Sequence, residues 1–143
     1  MSDVIAISPI LVAAVTGILV MALDLLSGRD ADKGFLGWVT AIGMLLAGGL
    51  AWGLWPGGRE VTAPYLVGMV ALDAYGAFFS AAVALAGAAA ALLTVGHNPA
   101  QGMPEGDSYP LLAFSVTGGL LFIVATDLIL LFLGLEIMSL ALY

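Results

Sequence analysis

The sequence predicts an all-α integral membrane protein, and its composition and pattern both support this fold class. Hydrophobic residues make up 62% of the 143 residues and charged residues only 9%, whereas a soluble domain carries about 25% charged residues. The chain therefore has too little charge to cover a globular surface. Its apolar residues also form runs of about 20, the length at which a helix spans a bilayer. These features exclude an ordinary water-soluble enzyme.

The positions of the apolar runs predict four complete membrane helices and a truncated fifth. Together they form one transmembrane segment over residues 1–143, with helices at about 4–26, 34–55, 73–95, 109–126 and 128–143. Gly, Pro and charged residues are concentrated between most of these runs, as is typical of loops. The fifth run would extend only about 24 Å as a helix, less than the ~30 Å hydrocarbon core.

Basic residues in the loops predict the orientation of the chain. Arg29 and Lys33 lie in the first predicted loop, and Arg59 is the one basic residue of the second. Because loops rich in Lys and Arg stay in the cytoplasm, we expect the first loop there and the N-terminus outside. Asp3 stands where a secretory signal would carry basic residues, and the first apolar run is longer than the apolar h-region of a typical signal peptide.

Aromatic and small residues suggest how the helices are anchored and packed. Trp38 lies near one end of the second predicted helix, and Trp52 and Trp55 lie near the other, which is typical of interfacial anchors but also compatible with ordinary packing. Gly49 and Gly53 form a GxxxG pattern, which permits close helix approach. The third predicted helix carries a second small-residue stripe, which is expected to be buried: Gly76, Ser80, Ala84 and Ala88.

Charge and residue counts exclude several kinds of site. The net charge of −7 argues against a nucleic-acid partner, because phosphate binding requires clustered Lys and Arg. The chain has no Cys, so it offers no thiolate metal site, iron–sulfur cluster or disulfide. Its single His, His97, cannot by itself provide a multi-ligand metal shell and is interpreted as an interfacial loop residue.

Three acidic residues near helix ends have structural interpretations. Asp73 precedes the third predicted helix and Asp127 the fifth, so both are expected to act as N-caps that accept hydrogen bonds from free backbone N–H groups. Asp24 lies in the last turn of the first helix, where the helix dipole disfavours an anion. It is therefore expected to reach the interface or to pair with Arg29 or Lys33.

Glu136 is the acidic residue with the strongest functional implication. It lies nine residues after Asp127 in an apolar run, or about 13 Å along a helix and close to the middle of the bilayer. A charge at that depth costs at least ~2.5–3.5 kcal/mol, and such residues mark proton relays, ion paths or charged partners. The alternative is a protonated Glu that only hydrogen-bonds a neighbouring helix.

Several motifs resemble subunit N of the proton-pumping NADH–quinone oxidoreductase, respiratory complex I. They lie at 23–25, 72–79, 108–112, 118–121 and 126–143. The most specific is Leu-Glu followed by Ser-Leu and Leu-Tyr in the last of these segments, which distinguishes subunit N from related antiporter-like subunits. The resemblance covers the whole chain but only about the N-terminal third of a fourteen-helix family.

The resemblance implies proton translocation coupled to quinone reduction, with Glu136 paired to a Lys on a later helix. It also implies that this chain binds no cofactor itself, since NADH, flavin, iron–sulfur clusters and quinone belong to the complex. The expected partners are other membrane-arm subunits and the lipid of the bacterial plasma membrane. A fragment of this length is expected to be inactive alone.

Two other functions are compatible with the sequence. The chain could belong to a multisubunit cation/proton antiporter, in which no NADH oxidation drives transport, or it could be a small structural membrane protein. Residues beyond Tyr143 and the neighbouring genes would distinguish a complex I subunit from an antiporter subunit. A native mass equal to that of 143 residues would favour the small structural protein.

Overall fold

A computed structural model describes residues 3–28, 33–54, 64–65, 68–71, 73–101 and 106–141 of the chain. Helices dominate the described part, which confirms the predicted helical class. The elements are α1 (Asp3–Ala6), α2 (Ser8–Leu26), α3 (Gly34–Gly53), β1 (Pro64–Tyr65), β2 (Val70–Ala71), α4 (Ala74–Gln101), α5 (Ser108–Val124) and α6 (Leu128–Leu140). The predicted helix ends at Trp55 and Tyr143 lie outside the described residues, as do Arg29 and Arg59.

Three of the described helices are long and apolar enough to cross a membrane. They are Ser8–Leu26, Gly34–Gly53 and the Ala74–Val95 portion of α4. The helices α5 and α6 are also apolar but have only 17 and 13 residues. By length and composition alone, the described residues therefore contain three candidate spans where the sequence predicted four complete ones.

The first predicted helix is divided at Ile7 into α1 and α2, and Pro9 explains the division. Proline has no N–H group and cannot donate to the carbonyl four residues earlier, which here belongs to Ile5. The Ser8 hydroxyl donates to the Ile5 carbonyl instead, at 2.8 Å. The chain thus keeps this carbonyl hydrogen-bonded while a new helix begins at Ser8.

The third predicted helix is longer in the structure than its apolar run. We expected a loop from Gly96 onward, but α4 continues to Gln101 and includes His97 and Pro99. Hydropathy predicts which residues leave water, whereas a helix can continue through polar residues, and α4 does so even past Pro99, which forgoes one backbone hydrogen bond. A polar final turn therefore extends past the apolar span, and the prediction that His97 lies in a loop is wrong.

Small residues form the centre of the bundle. The stripe on α4 is buried as predicted, with Ala84 and Ala88 in the main core cluster. The GxxxG prediction on α3 is wrong for the described part of the chain, because a Cβ built on Gly49 or Gly53 would meet nothing within 4 Å. Gly48 makes the contact instead, since its Cβ would lie 3.3 Å from that of Ala84.

Two smaller apolar clusters lie at opposite ends of the bundle. One contains Val20, Leu36 and Tyr109, near the C-terminal end of α2 and the N-terminal end of α5. The other contains Ala6, Val70 and Val124. At this second end, β1 and β2 form an antiparallel hairpin in which Tyr65 pairs with Val70. The bundle therefore has a Tyr109 end and a Val124 end, and these names are used below.

Candidate functional site

The helix that carries Glu136 begins at the Val124 end, where its first turn is held by several hydrogen bonds. The Asp127 side chain accepts from the N–H of Ile129 at 2.8 Å, which is N-cap geometry. The Thr126 N–H donates to the Met69 carbonyl at 2.9 Å, and the Thr126 hydroxyl donates to the Gly68 carbonyl at 2.6 Å. The α5–α6 turn is therefore attached to the segment that precedes α4.

Asp73 lies at the same end of the bundle, immediately before α4. Its carboxylate accepts a hydrogen bond of 2.6 Å from the N–H of Gly76. This contact satisfies one of the backbone donors that a helix N-terminus leaves free. The arrangement gives Asp73 a structural role at the start of α4.

The helices α5 and α6 touch through their backbones at a pair of glycines. A Cβ on Gly134 would lie 2.7 Å from the Phe122 nitrogen and 2.9 Å from the Gly118 oxygen. A Cβ on Gly118 would lie 2.5 Å from the Met138 nitrogen. No side chain fits at either position, so the two glycines fix the distance between the helices.

Glu136 faces away from this glycine contact. Two residues along an α-helix turn by about 200°, which places Glu136 on the side of α6 opposite Gly134. Four apolar residues share its face at helical spacing and are between 48% and 71% exposed: Ile129, Phe132, Leu133 and Leu140. We call these four residues and Glu136 the outer stripe of α6. A half-buried carboxylate thus interrupts an otherwise apolar surface.

The backbone at Glu136 is supported by Ser139, whose hydroxyl donates to the Glu136 carbonyl at 3.2 Å. This bond stays within one turn and leaves the carboxylate available to groups outside α6. Within the described ranges, no three His, Cys, Asp or Glu residues are grouped to hold a metal ion. The chemistry that Glu136 itself can offer is to gain or lose a proton, or to pair with a cation.

A second pair of ionisable groups lies near the Tyr109 end. Lys33 Nζ and Asp24 Oδ1 are 2.7 Å apart, and both side chains are mostly buried. This contact confirms one of the two partners expected for Asp24, whereas the other, Arg29, lies outside the described residues. Because Lys33 is the single Lys or Arg in the described ranges, Glu136 has no Lys or Arg partner within them.

Comparison with known proteins identifies relatives along nearly the whole chain. Subunit N 2 of the NADH-quinone oxidoreductase of Koribacter versatilis is 37% identical over 144 residues, which cover 99% of this chain and 29% of the relative. Subunit N from Chloroflexus aggregans is 31% identical and covers 99% of this chain, and 28% of its own length is aligned. Subunit N 1 from Sorangium cellulosum is 36% identical, and the alignment covers 97% of this chain and 29% of the relative.

The chain thus spans less than a third of the length of the curated relatives that it matches. No family model matches the chain. Together with its apolar helices, these relatives identify a multi-pass bacterial membrane protein.

Proposed function

Because this chain belongs to the subunit N family of NADH-quinone oxidoreductases, we propose that it forms part of the membrane arm of such a complex. In this proposal it lies in the bacterial plasma membrane and contributes to proton translocation coupled to quinone reduction. Its partners are other membrane-arm subunits and lipid. The chain binds no cofactor itself, and NADH, flavin, iron–sulfur clusters and quinone are bound elsewhere in the complex.

The observation that carries the proposal is the position of Glu136 at the centre of the outer stripe. A carboxylate exposed to lipid at mid-bilayer would cost at least ~2.5–3.5 kcal/mol, so intramembrane acids generally face a protein partner or water. We infer that another helix covers the outer stripe and brings a cation to Glu136. At 4 Å and an effective dielectric of ~20, such a pair interacts by ~4 kcal/mol, so forming or breaking it can move a proton on a coupled group.

In this proposal α5 and α6 also belong to the membrane region. They would supply a fourth and a fifth membrane helix, although each is shorter than 18 residues. A membrane location for α5 and α6 agrees with their apolar composition and with the glycine contact, since small residues commonly bring membrane helices together. Ser27, Gly28 and Lys33 would then lie on the cytoplasmic side and the N-terminus outside.

Substitution of Glu136 in the full-length subunit, within the assembled complex, tests the proposal. Glu136→Gln keeps the shape of the side chain but removes its charge, whereas Glu136→Asp keeps the charge and shortens the reach. We expect Gln to lower proton pumping and coupled quinone reduction more than Asp does. Asp107→Glu is the control for a change of another acidic residue, because Asp107 is exposed and the substitution keeps the negative charge at the start of α5.

Normal pumping by a fully assembled Glu136→Gln complex would refute the role in translocation. If Glu136 were instead a packing residue that stays neutral, Gln would be the milder of the two substitutions. Vesicles that contain only the 143-residue chain provide a further control, and we expect them to build no proton gradient. A sustained gradient in those vesicles would contradict the proposal that the chain works only as part of a larger assembly.

A further inference from the structure

We propose that the Asp24–Lys33 ion pair positions α5, and through α5 the helix that carries Glu136. This inference rests on the proposed function, because its consequence for activity passes through Glu136. Asp24 and Lys33 are thus positioning residues that act at the Tyr109 end, and three features of the structure support this role.

The polarity of the pair is the first feature. Asp24 lies in the last turn of α2 and Lys33 is the N-cap residue of α3. A helix carries partial negative charge at its C-terminus and partial positive charge at its N-terminus, so each residue has the less favourable sign for its own helix. Buried ion pairs contribute little net stability as a rule. Stabilisation of the α2–α3 connection alone would therefore favour the opposite arrangement.

The start of α5 is the second feature, and it explains the negative charge at position 24. Gly106 is buried, and a Cβ built on it would overlap the Asp24 carboxylate. The glycine therefore allows the carboxylate to lie against the backbone two residues before α5 begins. Because Asp107, the N-cap of α5, makes no side-chain cap hydrogen bond, the Asp24 carboxylate is well placed to favour the positive end of the α5 dipole.

The connection from α5 to α6 is the third feature. The helices are in backbone contact at Gly118 and Gly134, and only Ala125, Thr126 and Asp127 separate them in sequence. Protein interiors are close-packed and transmit displacements, so a shift of the α5 N-terminus is expected to move α6 as well. The outer stripe, with Glu136 at its centre, would move with that helix.

The experiment compares three versions of the full-length subunit in the assembled complex. Asp24→Asn removes the negative charge, and Asp24→Glu retains it. A double variant, Asp24→Lys together with Lys33→Asp, retains an ion pair but reverses it. The measurements are complex assembly, protons pumped per quinone reduced, and the pH profile of pumping. The reversed pair suits the dipoles of α2 and α3, but it places a cation against the start of α5.

We expect Asp24→Asn to lower the pumping ratio by about two- to thirtyfold, the range of a long-range coupling of ~0.5–2 kcal/mol, and to shift the pH profile. Asp24→Glu should restore much of the pumping. The reversed pair should restore assembly but not pumping. Full pumping by the reversed pair would overturn the inference and reduce the pair to a tie between α2 and α3. If Asp24→Asn fails to assemble, the reversed pair still decides the question.

The inference and the proposed function fail in different ways. If the Glu136→Gln complex pumps normally, the role of Glu136 in translocation is refuted, regardless of the result for the Asp24 variants. If Glu136→Gln abolishes pumping while Asp24→Asn leaves pumping and its pH profile unchanged, the translocation role stands and the positioning role is refuted.

Discussion

Single glycines decide which helix faces meet in this bundle. Gly48 and Gly49 are neighbours in sequence, but Gly48 is buried against α4 and Gly49 faces open space. Gly134 is more restricted than either, because the atoms nearest to its missing Cβ are backbone atoms of α5. Backbone atoms cannot turn aside as a flexible side chain can, so the cost of an added methyl group differs sharply among these positions.

We predict that Gly134→Ala destabilises the chain and that Gly49→Ala does not. The added methyl at position 134 must push α5 and α6 apart, and overpacking of this kind costs about 1–3 kcal/mol. At position 49 the methyl meets nothing within 4 Å, and replacing Gly by Ala in a helix interior favours the helix by up to ~1 kcal/mol. The midpoint of SDS-induced unfolding of the purified chain in detergent measures both effects. Equal midpoints for the two variants would contradict the glycine contact.

At the scale of whole elements, the β2 segment ties two connections of the bundle together. Val70 forms an isolated antiparallel bridge with Ala125, which holds Ala125 extended and ends α5 at Val124. The sequence predicted this helix to continue to Thr126 because no charged residue lies between Tyr109 and Asp127. The true end depends on hydrogen bonds to a segment more than fifty residues away, and no local pattern contains that information.

We predict that Thr126→Val loosens this tie and that Thr126→Ser preserves it. Valine has nearly the shape of threonine but cannot donate to the Gly68 carbonyl, and a hydrogen bond of this kind contributes about 0.5–1.5 kcal/mol. Because the contact is exposed, the loss of stability in the Val variant should lie near the lower limit of this range. We expect the backbone amide of residue 126 to exchange hydrogen faster in the Val variant but not in the Ser variant. Unchanged exchange in both would mean that the backbone bonds suffice.

Hydropathy predicted the helices well but predicted their ends and contacts poorly. Each of the helices α2 through α6 lies within or largely within one of the predicted apolar runs. The helix is divided at Ile7, before Pro9, whereas α4 continues through Pro99, and hydropathy does not distinguish the two prolines. The sequence also indicated the Asp24–Lys33 pair, which the structure contains, whereas the role of Glu136 stays a prediction. It did not predict that Gly106 would receive the Asp24 carboxylate, since that contact joins residues far apart in the chain.

At the scale of the whole molecule, the two ends of the bundle differ in chemistry. The Tyr109 end contains the buried ion pair, whereas the Val124 end contains the strand contacts and the capping residues Asp73 and Asp127. Successive helices of the bundle run in opposite directions, so each connection lies at the end opposite to the previous one. If the bundle spans the bilayer, Ser27 and Met69 therefore face different compartments.

We predict that Ser27→Cys reacts from the cytoplasm and Met69→Cys from outside. The chain has no native Cys, so each variant carries one thiol, and a membrane-impermeant maleimide applied to intact cells should label only Met69→Cys. Ala84→Cys is a control that should resist labelling, because Ala84 is fully buried. Labelling of Ser27→Cys but not Met69→Cys in intact cells would reverse the predicted topology.

The three-residue turn between α5 and α6 has a consequence for biogenesis. Segments joined so closely leave the translocon together, so we expect this pair to enter the bilayer as a hairpin rather than as separate helices. The penalty for Glu136, ~2.5–3.5 kcal/mol on insertion scales, is then set against the combined hydrophobicity of both segments. The hydrophobicity of α5 thus helps the 13-residue α6 to insert with its carboxylate. Glu136 would then already lie in the membrane when the helix that pairs with it is inserted.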